Sequence, residues 1–250
     1  MARLHLPDVT LCAATSVNLA ATLAAMRRSM EKCEFGLALL FTDQPVNDLP
    51  AGIELIEIER LDSARAYSRF LLTQMTNYIT TSHALIVQWD GFVLRPQAWD
   101  ATFLDYDYIG AVWPQFSDGA CVGNGGFSLR SKRLMDACQT IASPEDHPED
   151  VAICRTMRPR LEKEYGLRFA DPATAAHFSY ERTVSNESEF GFHGVFNMPT
   201  ELGAEAWWET YRMLDERTTL KPDFRALIWF ALRHKHGVAR AWRMICDQYL

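Results

Sequence analysis

Three short stretches carry residues that could do chemistry together. The first is Gln88-Trp89-Asp90-Gly91, in which a carboxylate follows the apolar run Leu85-Ile86-Val87. Such a run is typical of a strand buried on both faces. Ligands of open α/β sheets bind at the carboxyl ends of strands, where a carboxylate can hold a divalent cation against a phosphorylated substrate. The alternative is that Asp90 only stabilises the next turn.

The second stretch is His147-Pro148-Glu149-Asp150, which leads into a predicted helix. Backbone donors at a helix start fix the direction of a carboxylate and keep it ionised, as a general base facing a hydroxyl requires. Glu149 and Asp150 are therefore candidate catalytic residues. Simple capping of the helix explains the same two acids equally well.

The third stretch is Phe190-Gly191-Phe192-His193-Gly194, with an imidazole between glycines at the end of an aromatic strand. A lone histidine is more often structural than a ligand. An Asp from one strand end and a His from another can nevertheless share one cation. We therefore treat Asp90 and His193 as candidate metal ligands.

A glycine-rich segment, Gly123-Asn124-Gly125-Gly126-Phe127-Ser128, adds a fourth feature. Three glycines in four positions indicate backbone that must closely approach a ligand or another strand. A glycine-rich hairpin turn is the alternative. The segment is not a dinucleotide fingerprint, and the chain contains no P-loop, so dehydrogenase and nucleotide-hydrolase functions are disfavoured.

Composition narrows the class of protein. The 250 residues are 48% apolar and carry a formal net charge of −7, which favours a packed globular protein and argues against nucleic-acid binding. The six cysteines are widely spaced without a CxxC pair, as expected of free thiols in a reducing cytosol. We find no signal-peptide pattern and no apolar run long enough to span a bilayer.

The elements that must position these residues begin with alternating strands and helices. The pattern predicts strands at 9–16, 35–42 and 53–59, the last near a sheet edge, and a central strand ending at Asp90. It predicts helices at 19–33, capped by Asn18, and at 63–79. This order is that of a Rossmann-like half sheet with parallel crossovers.

The second half has a different pattern, in which a mixed sheet is expected to begin. Strand-like segments at 103–113 and 122–129 precede helices at 131–141 and 148–165, the latter ending before Gly166. Short segments follow at 167–170, 178–181 and 190–195. From residue 204 onward the chain is helical in character.

Together the motifs QWDGFVLRPQAW, YDYIGAVWP, GNGGFSLRS, PEDVAICR and FGFHG resemble the GT-A class of nucleotide-sugar-dependent glycosyltransferases. Within that class they look like a bacterial family known only as a domain of unknown function. The resemblance spans roughly residues 9–197. It implies an α/β fold with a single GT-A-like domain, in which a Rossmann-like N-terminal half continues into a mixed central sheet flanked by helices. We expect this domain at 1–203 and a helical extension packed on it at 204–250.

The resemblance also implies roles for individual residues. Gln88-Trp89-Asp90 takes the place of the Asp-x-Asp motif that binds the metal and the sugar diphosphate, with only the second acid present. His193 matches a late metal-binding His-Gly, and Asp150 of the Glu149-Asp150 pair matches the catalytic base of inverting members. The remaining residues implied in donor binding are Arg69 on the phosphates, Asn124, Gly125 and Gly126 beside the sugar, and Thr15, Ser16 and Asp43 at the base and ribose.

The implied activity is transfer of a sugar from a nucleotide-diphosphate sugar to a hydroxyl of a glycan or lipid-linked glycan, with inversion and with Mn²⁺ or Mg²⁺ as cofactor. Polysaccharide biosynthesis in the cytoplasm is the expected setting. Two alternatives stay open: a non-catalytic nucleotide- or sugar-binding module of the same fold, and a metal-dependent phosphohydrolase.

The C-terminal segment raises a separate question. Residues 221–250 hold six Lys or Arg against two Asp. Helically spaced apolar residues accompany them, so this segment could touch an anionic bilayer as a weak peripheral contact at the inner face of the cytoplasmic membrane. The alternative, which we favour, is a helix packed on the core by the apolar residues Phe224, Leu227, Ile228, Phe230 and Ala231.

Overall fold

A computed structural model describes residues 3–249 of the chain. Its N-terminal half alternates strands and helices in the predicted order. These elements are β1 (Leu4–Ala14), α1 (Leu19–Lys32), β2 (Cys33–Thr42), β3 (Glu54–Glu57), α2 (Ala64–Thr73) and β4 (His83–Val87). A 3₁₀ turn at Met75–Tyr78 continues α2.

The second half contains shorter strands and more helices. The strands are β5 (Phe92–Val93), β6 (Tyr108–Ile109), β7 (Ala111–Val112), β8 (Val122–Gly123), β9 (Phe127–Ser131), β10 (Ser179–Tyr180) and β11 (Gly191–Phe192). The helices are α3 (Lys132–Ile141), α4 (Glu149–Val151), α5 (Arg158–Tyr165), α6 (Pro172–Phe178), α7 (Met198–Met213), α8 (Phe224–Leu232) and α9 (Gly237–Tyr249).

The main sheet has six strands in the order β3-β2-β1-β4-β9-β6. Strands β1 to β4 are parallel, whereas β9 runs antiparallel between β4 and β6. The sheet is therefore mixed, as predicted, and β3 forms one of its edges. Because β1, β2 and β4 end at the same side, the segments that follow them meet along one edge.

Helices flank this sheet because their apolar faces fit its two sides. Met26 of α1 is buried in the core of the sheet, and α2 begins at Ser63, whose side chain accepts a hydrogen bond from the backbone N–H of Ala66. Asn18 does not cap α1 as predicted. It adopts a left-handed conformation, and its side chain bonds to the C-terminal region instead.

Two segments differ from the predicted elements for local reasons. Residues 103–105, expected to begin a strand, belong to a 3₁₀ turn at Ala101–Asp105 because the Asp100 carboxylate accepts bonds from Thr102. The predicted helix at 148–165 is interrupted by a π-helical turn at Ala152–Thr156. Pro159 lacks the N–H needed to continue a helix, so α5 begins afresh at Arg158.

The C-terminal helices pack on the sheet domain through a second apolar cluster. Buried Trp207, Tyr211 and Leu227 lie with Ala25 of α1 and Phe192 of β11. Phe224, Leu227, Ile228, Phe230 and Ala231 all belong to this cluster, so the face that they form is turned to the core, and contact of these helices with a membrane stays a prediction. The predicted boundary at residue 203 falls inside α7, where Gly203 has non-helical backbone angles. The division into two parts stays a prediction.

No helix within residues 3–249 has the length and apolarity needed to cross a bilayer.

Candidate active site

Two adjoining cavities open along the edge where the parallel strands end. The strand-end cavity, of about 410 Å³, lies beside the β1–α1 turn and the start of α2. The glycine-loop cavity, of about 250 Å³, lies beside the Gly125-Gly126 segment and α4. Ala64, Tyr67 and Gln88 line both cavities, so the two form one continuous cleft.

The strand-end cavity contains four of the residues predicted for donor binding: Thr15, Ser16, Gln88 and Trp89. The Ser16 hydroxyl accepts a 2.8 Å bond from the backbone N–H of Leu61, which fixes the far wall. Asp43 is not among the lining residues of either cavity. Its Oδ1 atom is buried without a hydrogen-bond partner among the described residues.

The C-terminal region supplies one wall of the strand-end cavity, through Glu216, Thr218 and Thr219. Asn18 holds this wall in place. Its Oδ1 accepts bonds of 3.0 and 2.9 Å from the backbone N–H groups of Asp215 and Glu216, and its Nδ2 donates a 2.9 Å bond to the Glu216 carbonyl. Thus a residue of the first turn positions a segment almost two hundred residues later in the chain.

Asp90 and His193, expected to share a cation, are neighbours in the structure. Oδ1 of Asp90 lies 3.3 Å from Nε2 of His193, and Oε1 of Gln88 lies 3.3 Å from the same nitrogen. The Gln88 amide is oriented by a 2.9 Å bond that its Nε2 donates to the Tyr67 hydroxyl. On the other side of the ring, Nδ1 of His193 lies 3.5 Å from Glu181.

The charges around His193 govern its protonation. Burial acts to lower its pKa, but the charges and contacts of Asp90 and Glu181 outweigh burial and raise the pKa to about 10. In the metal-free protein the imidazolium therefore lies between two carboxylates at the floor of the cleft.

The glycine-rich segment is not a hairpin, because β8 pairs with β7 whereas β9 pairs with β4 and β6. Its glycines allow protein groups to approach the backbone. A Cβ on Gly126 would lie 2.0 Å from Nε2 of His193, and one on Gly125 would lie 2.2 Å from Oε1 of Glu149. Asn124, at φ 79°, closes the turn by accepting a 2.9 Å bond from the Gly126 N–H.

The two acids at the start of α4 have different surroundings. Asp150 is partly exposed in the glycine-loop cavity, and its carboxylate accepts bonds from the N–H groups of Gly125 (3.1 Å) and Val151 (2.8 Å). Glu149 is buried, and its Oε1 accepts a 3.2 Å bond from Arg130, whose side chain is 1% exposed. Burial raises the pKa of Glu149, and the Arg130 guanidinium opposes that rise.

The structure does not bring Arg69 to this cleft. Ala64, Tyr67 and Ser68 of α2 face the glycine-loop cavity, whereas Arg69 is exposed and lines a separate depression with Arg65 and Gln74. One step along a helix turns a side chain by about 100°, which accounts for the different face.

A sequence model of the family described as "Protein of unknown function (DUF5672)" matches residues 51–193, more than half of the chain. This chain belongs to the DUF5672 family. No curated protein matches its sequence.

Solved structures resemble this chain in fold. One, a glycosyltransferase involved in glycosylation of the major capsid of PBCV-1, has a TM-score of 0.50 at 11% identity over 83% of this chain and 98% of the other. A second is the mannosyltransferase PcManGT from Pyrobaculum calidifontis in complex with GDP-Man and Mn²⁺ (TM-score 0.45, 11% identity, 97% and 76% coverage). A third is apo GlyE from Streptococcus pneumoniae TIGR4 (0.44, 13%, 88% and 63%). This chain has a GT-A-like fold, as its motifs predicted.

The motif resemblance implies a divalent cation as cofactor, and two oxygen atoms and one nitrogen atom near the cleft are groups that could contribute to holding one. The Oδ1 atom of Asp90 is buried without a hydrogen-bond partner in the described part of the chain, beside Nε2 of His193 and Oε1 of Gln88. No cluster of three or more His, Cys, Asp or Glu side chains within residues 3–249 forms a ready-made metal site. Oxygen-rich sites for Mg²⁺ commonly use one or two carboxylates and complete the shell with substrate phosphates and water.

Sequence reasoning missed several residues of the DUF5672 cleft. Tyr67 contacts the Gln88 side chain, and Glu181 contacts the His193 side chain. Arg130 donates a hydrogen bond to the buried Glu149 carboxylate. Glu181 had a detectable signal, because it ends a short predicted strand as Asp90 does. Glu216 had none, since a loop between helices carries no local pattern that points to a cavity.

Proposed function

We propose that this protein is a glycosyltransferase that moves a sugar from a nucleotide-diphosphate sugar to a hydroxyl of a glycan or lipid-linked acceptor, with inversion at the anomeric carbon. One observation carries the proposal. In a GT-A-like fold, His193 and Asp150 line one cleft at the strand ends, and Oδ1 of Asp90, a residue that lines neither cavity, lies 3.3 Å from Nε2 of His193.

The nucleotide is assigned to the strand-end cavity. Its volume of about 410 Å³ suits a small-molecule site, and it lies where ligands bind in open α/β sheets. Thr15 and Ser16 at the end of β1, Trp89, and the Glu216 wall are the groups available to base and ribose. Asp43 and Arg69 lie outside the two cavities and are left out of the proposed site.

The diphosphate is assigned to the junction of the two cavities, at Gln88. Asp90 and His193, with the Gln88 amide oxygen, would hold Mn²⁺ or Mg²⁺ there, which supplies positive charge to neutralise the leaving diphosphate. To act as a ligand, His193 must give up the proton that Asp90 and Glu181 stabilise on it. Cation and donor are therefore expected to bind together.

Asp150 is assigned as the general base. Its carboxylate is fixed by the N–H groups of Gly125 and Val151 yet stays partly exposed to the cavity. It takes the proton of the acceptor hydroxyl as the new O–C bond forms and the bond from C1 to the diphosphate oxygen breaks. Glu149 is buried against Arg130, so we assign it to positioning of Asp150 rather than to proton transfer.

Thermal-shift measurements with a set of nucleoside diphosphates, each with and without Mn²⁺, test donor binding because a ligand of the folded state raises the melting temperature. We expect one base to be preferred and its shift to grow with Mn²⁺. Nucleotide sugars of that base should then release nucleoside diphosphate slowly in water. Binding without release would favour the non-catalytic module, and release of inorganic phosphate from the ligand would favour a phosphohydrolase. If no nucleotide raised the melting temperature, the proposal would be wrong.

A further inference from the structure

Helices α8 and α9 carry large apolar side chains that the described part of the chain, residues 3–249, leaves exposed. It comprises five side chains, with exposed fractions of 62% for Trp229, 45% for Leu232, 77% for Val238, 65% for Trp242 and 37% for Ile245. We call this set the α8–α9 apolar face. The residues recur at helical spacing, two on α8 and three on α9, on both sides of the turn that joins the helices.

The opposite sides of both helices are already used for packing. Leu227 and Ala231 of α8, and Ala241 and Met244 of α9, are buried. One side of each helix is therefore packed against the protein, whereas the α8–α9 apolar face is exposed to solvent. Two exposed tryptophans on adjacent helices are uncommon on a soluble surface and mark a site of interaction.

Cations surround this face, although the protein as a whole is acidic. No Asp or Glu occurs between Phe224 and Cys246. Arg240 and Arg243 are neutralised by Glu205 and Asp247, but Arg225, Arg233 and Lys235 are exposed and form no ion pair within residues 3–249. The Arg233 guanidinium lies 5.6 Å from the centre of the Trp229 ring.

We propose that the α8–α9 apolar face docks on the surface of an anionic phospholipid bilayer. Tryptophan is favoured at the membrane interface because its ring is apolar and its N–H is polar. Exposed cations beside such residues add attraction to anionic headgroups. Helices of nine and thirteen residues are too short to span the bilayer, so they lie in the interface plane.

A second copy of the chain fits this face less well. In a two-fold dimer the same patch meets itself, which would bring the Arg225, Arg233 and Lys235 side chains of one copy toward those of the other. None of the five side chains of the face is acidic, and the segment from Phe224 to Cys246 contributes no carboxylate to offset that repulsion. Charge complementarity therefore favours anionic lipid. This inference does not depend on the proposed transfer reaction.

Vesicle flotation with the full chain tests the proposal. We expect the protein to float with vesicles that contain phosphatidylglycerol in phosphatidylcholine, to bind phosphatidylcholine vesicles at least tenfold more weakly, and to lose binding as salt is raised. Tryptophan emission should shift to shorter wavelength on binding. Failure to float with the anionic vesicles at low salt would overturn the proposal.

Variants separate the apolar and charged contributions. Trp229→Ser with Trp242→Ser should abolish the emission shift and weaken flotation at least tenfold. Replacing Arg225, Arg233 and Lys235 by Gln should weaken binding about fivefold for each cation. Val238→Ser should weaken it, whereas its control Val184→Ser, at a residue 95% exposed in a loop elsewhere, should not.

Binding of a second copy of the chain to the α8–α9 apolar face is tested by a separate measurement. Sedimentation equilibrium in the absence of lipid would reveal a dimer. A dimer that dissociates on Trp229→Ser, together with no flotation of the parent protein, would assign the face to a second copy and overturn the lipid proposal. A monomer that floats supports it, and melting temperatures confirm that each variant is folded.

Discussion

A methyl group placed on Gly126 would lie 2.0 Å from Nε2 of His193, closer than any van der Waals contact allows. The imidazole can reach Asp90 and Gln88 only because residue 126 has no side chain. The absence of a side chain at Gly126 therefore leaves the space that the His193 imidazole occupies.

Gly126→Ala should therefore displace His193 and impair cation binding. We expect Mn²⁺ affinity in the presence of the preferred nucleoside diphosphate to fall at least tenfold by calorimetric titration, with a stability loss of about 1–3 kcal/mol from overpacking. Gly119→Ala is the control. Position 119 has open space but a φ of 82°, so it should lose stability through backbone strain and keep its Mn²⁺ affinity. If Gly126→Ala kept the Mn²⁺ affinity of the parent protein, His193 would not be a ligand of the cation.

Asp90→Asn and Asp150→Asn should fail in different ways. Asp90→Asn removes charge beside His193, so donor affinity in Mn²⁺ should fall and transfer with it. Asp150→Asn removes the base while its remaining oxygen can still accept a bond from Gly125 or Val151. Donor binding should then persist while transfer drops about 10²–10⁴-fold. Calorimetry and initial rates with a working acceptor measure the two effects. Near-normal transfer by Asp150→Asn would mean that the residue only stabilises the start of α4.

Arg130→Met should strongly destabilise the fold, because it leaves the Glu149 carboxylate buried without its cation. The expected loss is about 3–5 kcal/mol at neutral pH, measured by urea denaturation. Burial raises the pKa of Glu149. The loss should therefore be small below about pH 4, the ordinary pKa of Glu, where Glu149 is protonated in both states, and should grow as pH rises through the folded-state pKa.

Two further variants test whether the buried charge of Glu149 causes the loss of stability in Arg130→Met. Adding Glu149→Gln to Arg130→Met should recover part of the lost stability, because no buried charge then remains. Arg160→Met breaks the exposed pair with Glu164 and should cost less than about 1 kcal/mol. If Arg130→Met were as stable as the parent protein at neutral pH, Glu149 would have to be neutral in the native state.

Asn18→Gly should loosen the Glu216 wall of the strand-end cavity. Glycine adopts the left-handed conformation of residue 18 without strain but lacks the side chain that binds Asp215 and Glu216. We expect faster amide exchange at 214–219 and a several-fold rise in the nucleotide dissociation constant. Asn186→Gly, which removes a side-chain bond from an exposed loop, is the control. Equal exchange at 214–219 in both variants would show that Asn18 does not hold the wall.

Local sequence patterns predicted the strand and helix order well where burial dominates. All five residues of β4 are buried, and α1 begins at the predicted residue. The patterns failed where one side chain redirects the backbone, as Asp100 and Pro159 do. They could not foresee that β9 inserts between β4 and β6, because strand pairing depends on tertiary packing.

The candidate site was predicted in part because strand ends can be read from the sequence. Thr15, Ser16 and Asp90 follow strands that end at one edge, so the sequence pattern could predict where these residues lie. Arg69 was placed by motif, whereas helix geometry turns Tyr67 and Ser68 to the cleft instead. The contribution of Glu216 depends on a contact with Asn18 across the chain, which no local window contains.

The edge strand β3 bears two exposed carboxylates, Glu54 and Glu57. A neighbouring molecule that tried to add its own β3 to this edge would have to bring like charges together and desolvate them. At the other edge, β6 is only two residues long, and Tyr108 is bridged to Phe169. Both margins of the sheet are thus poor templates for the addition of further strands, which disfavours aggregation through the sheet edges.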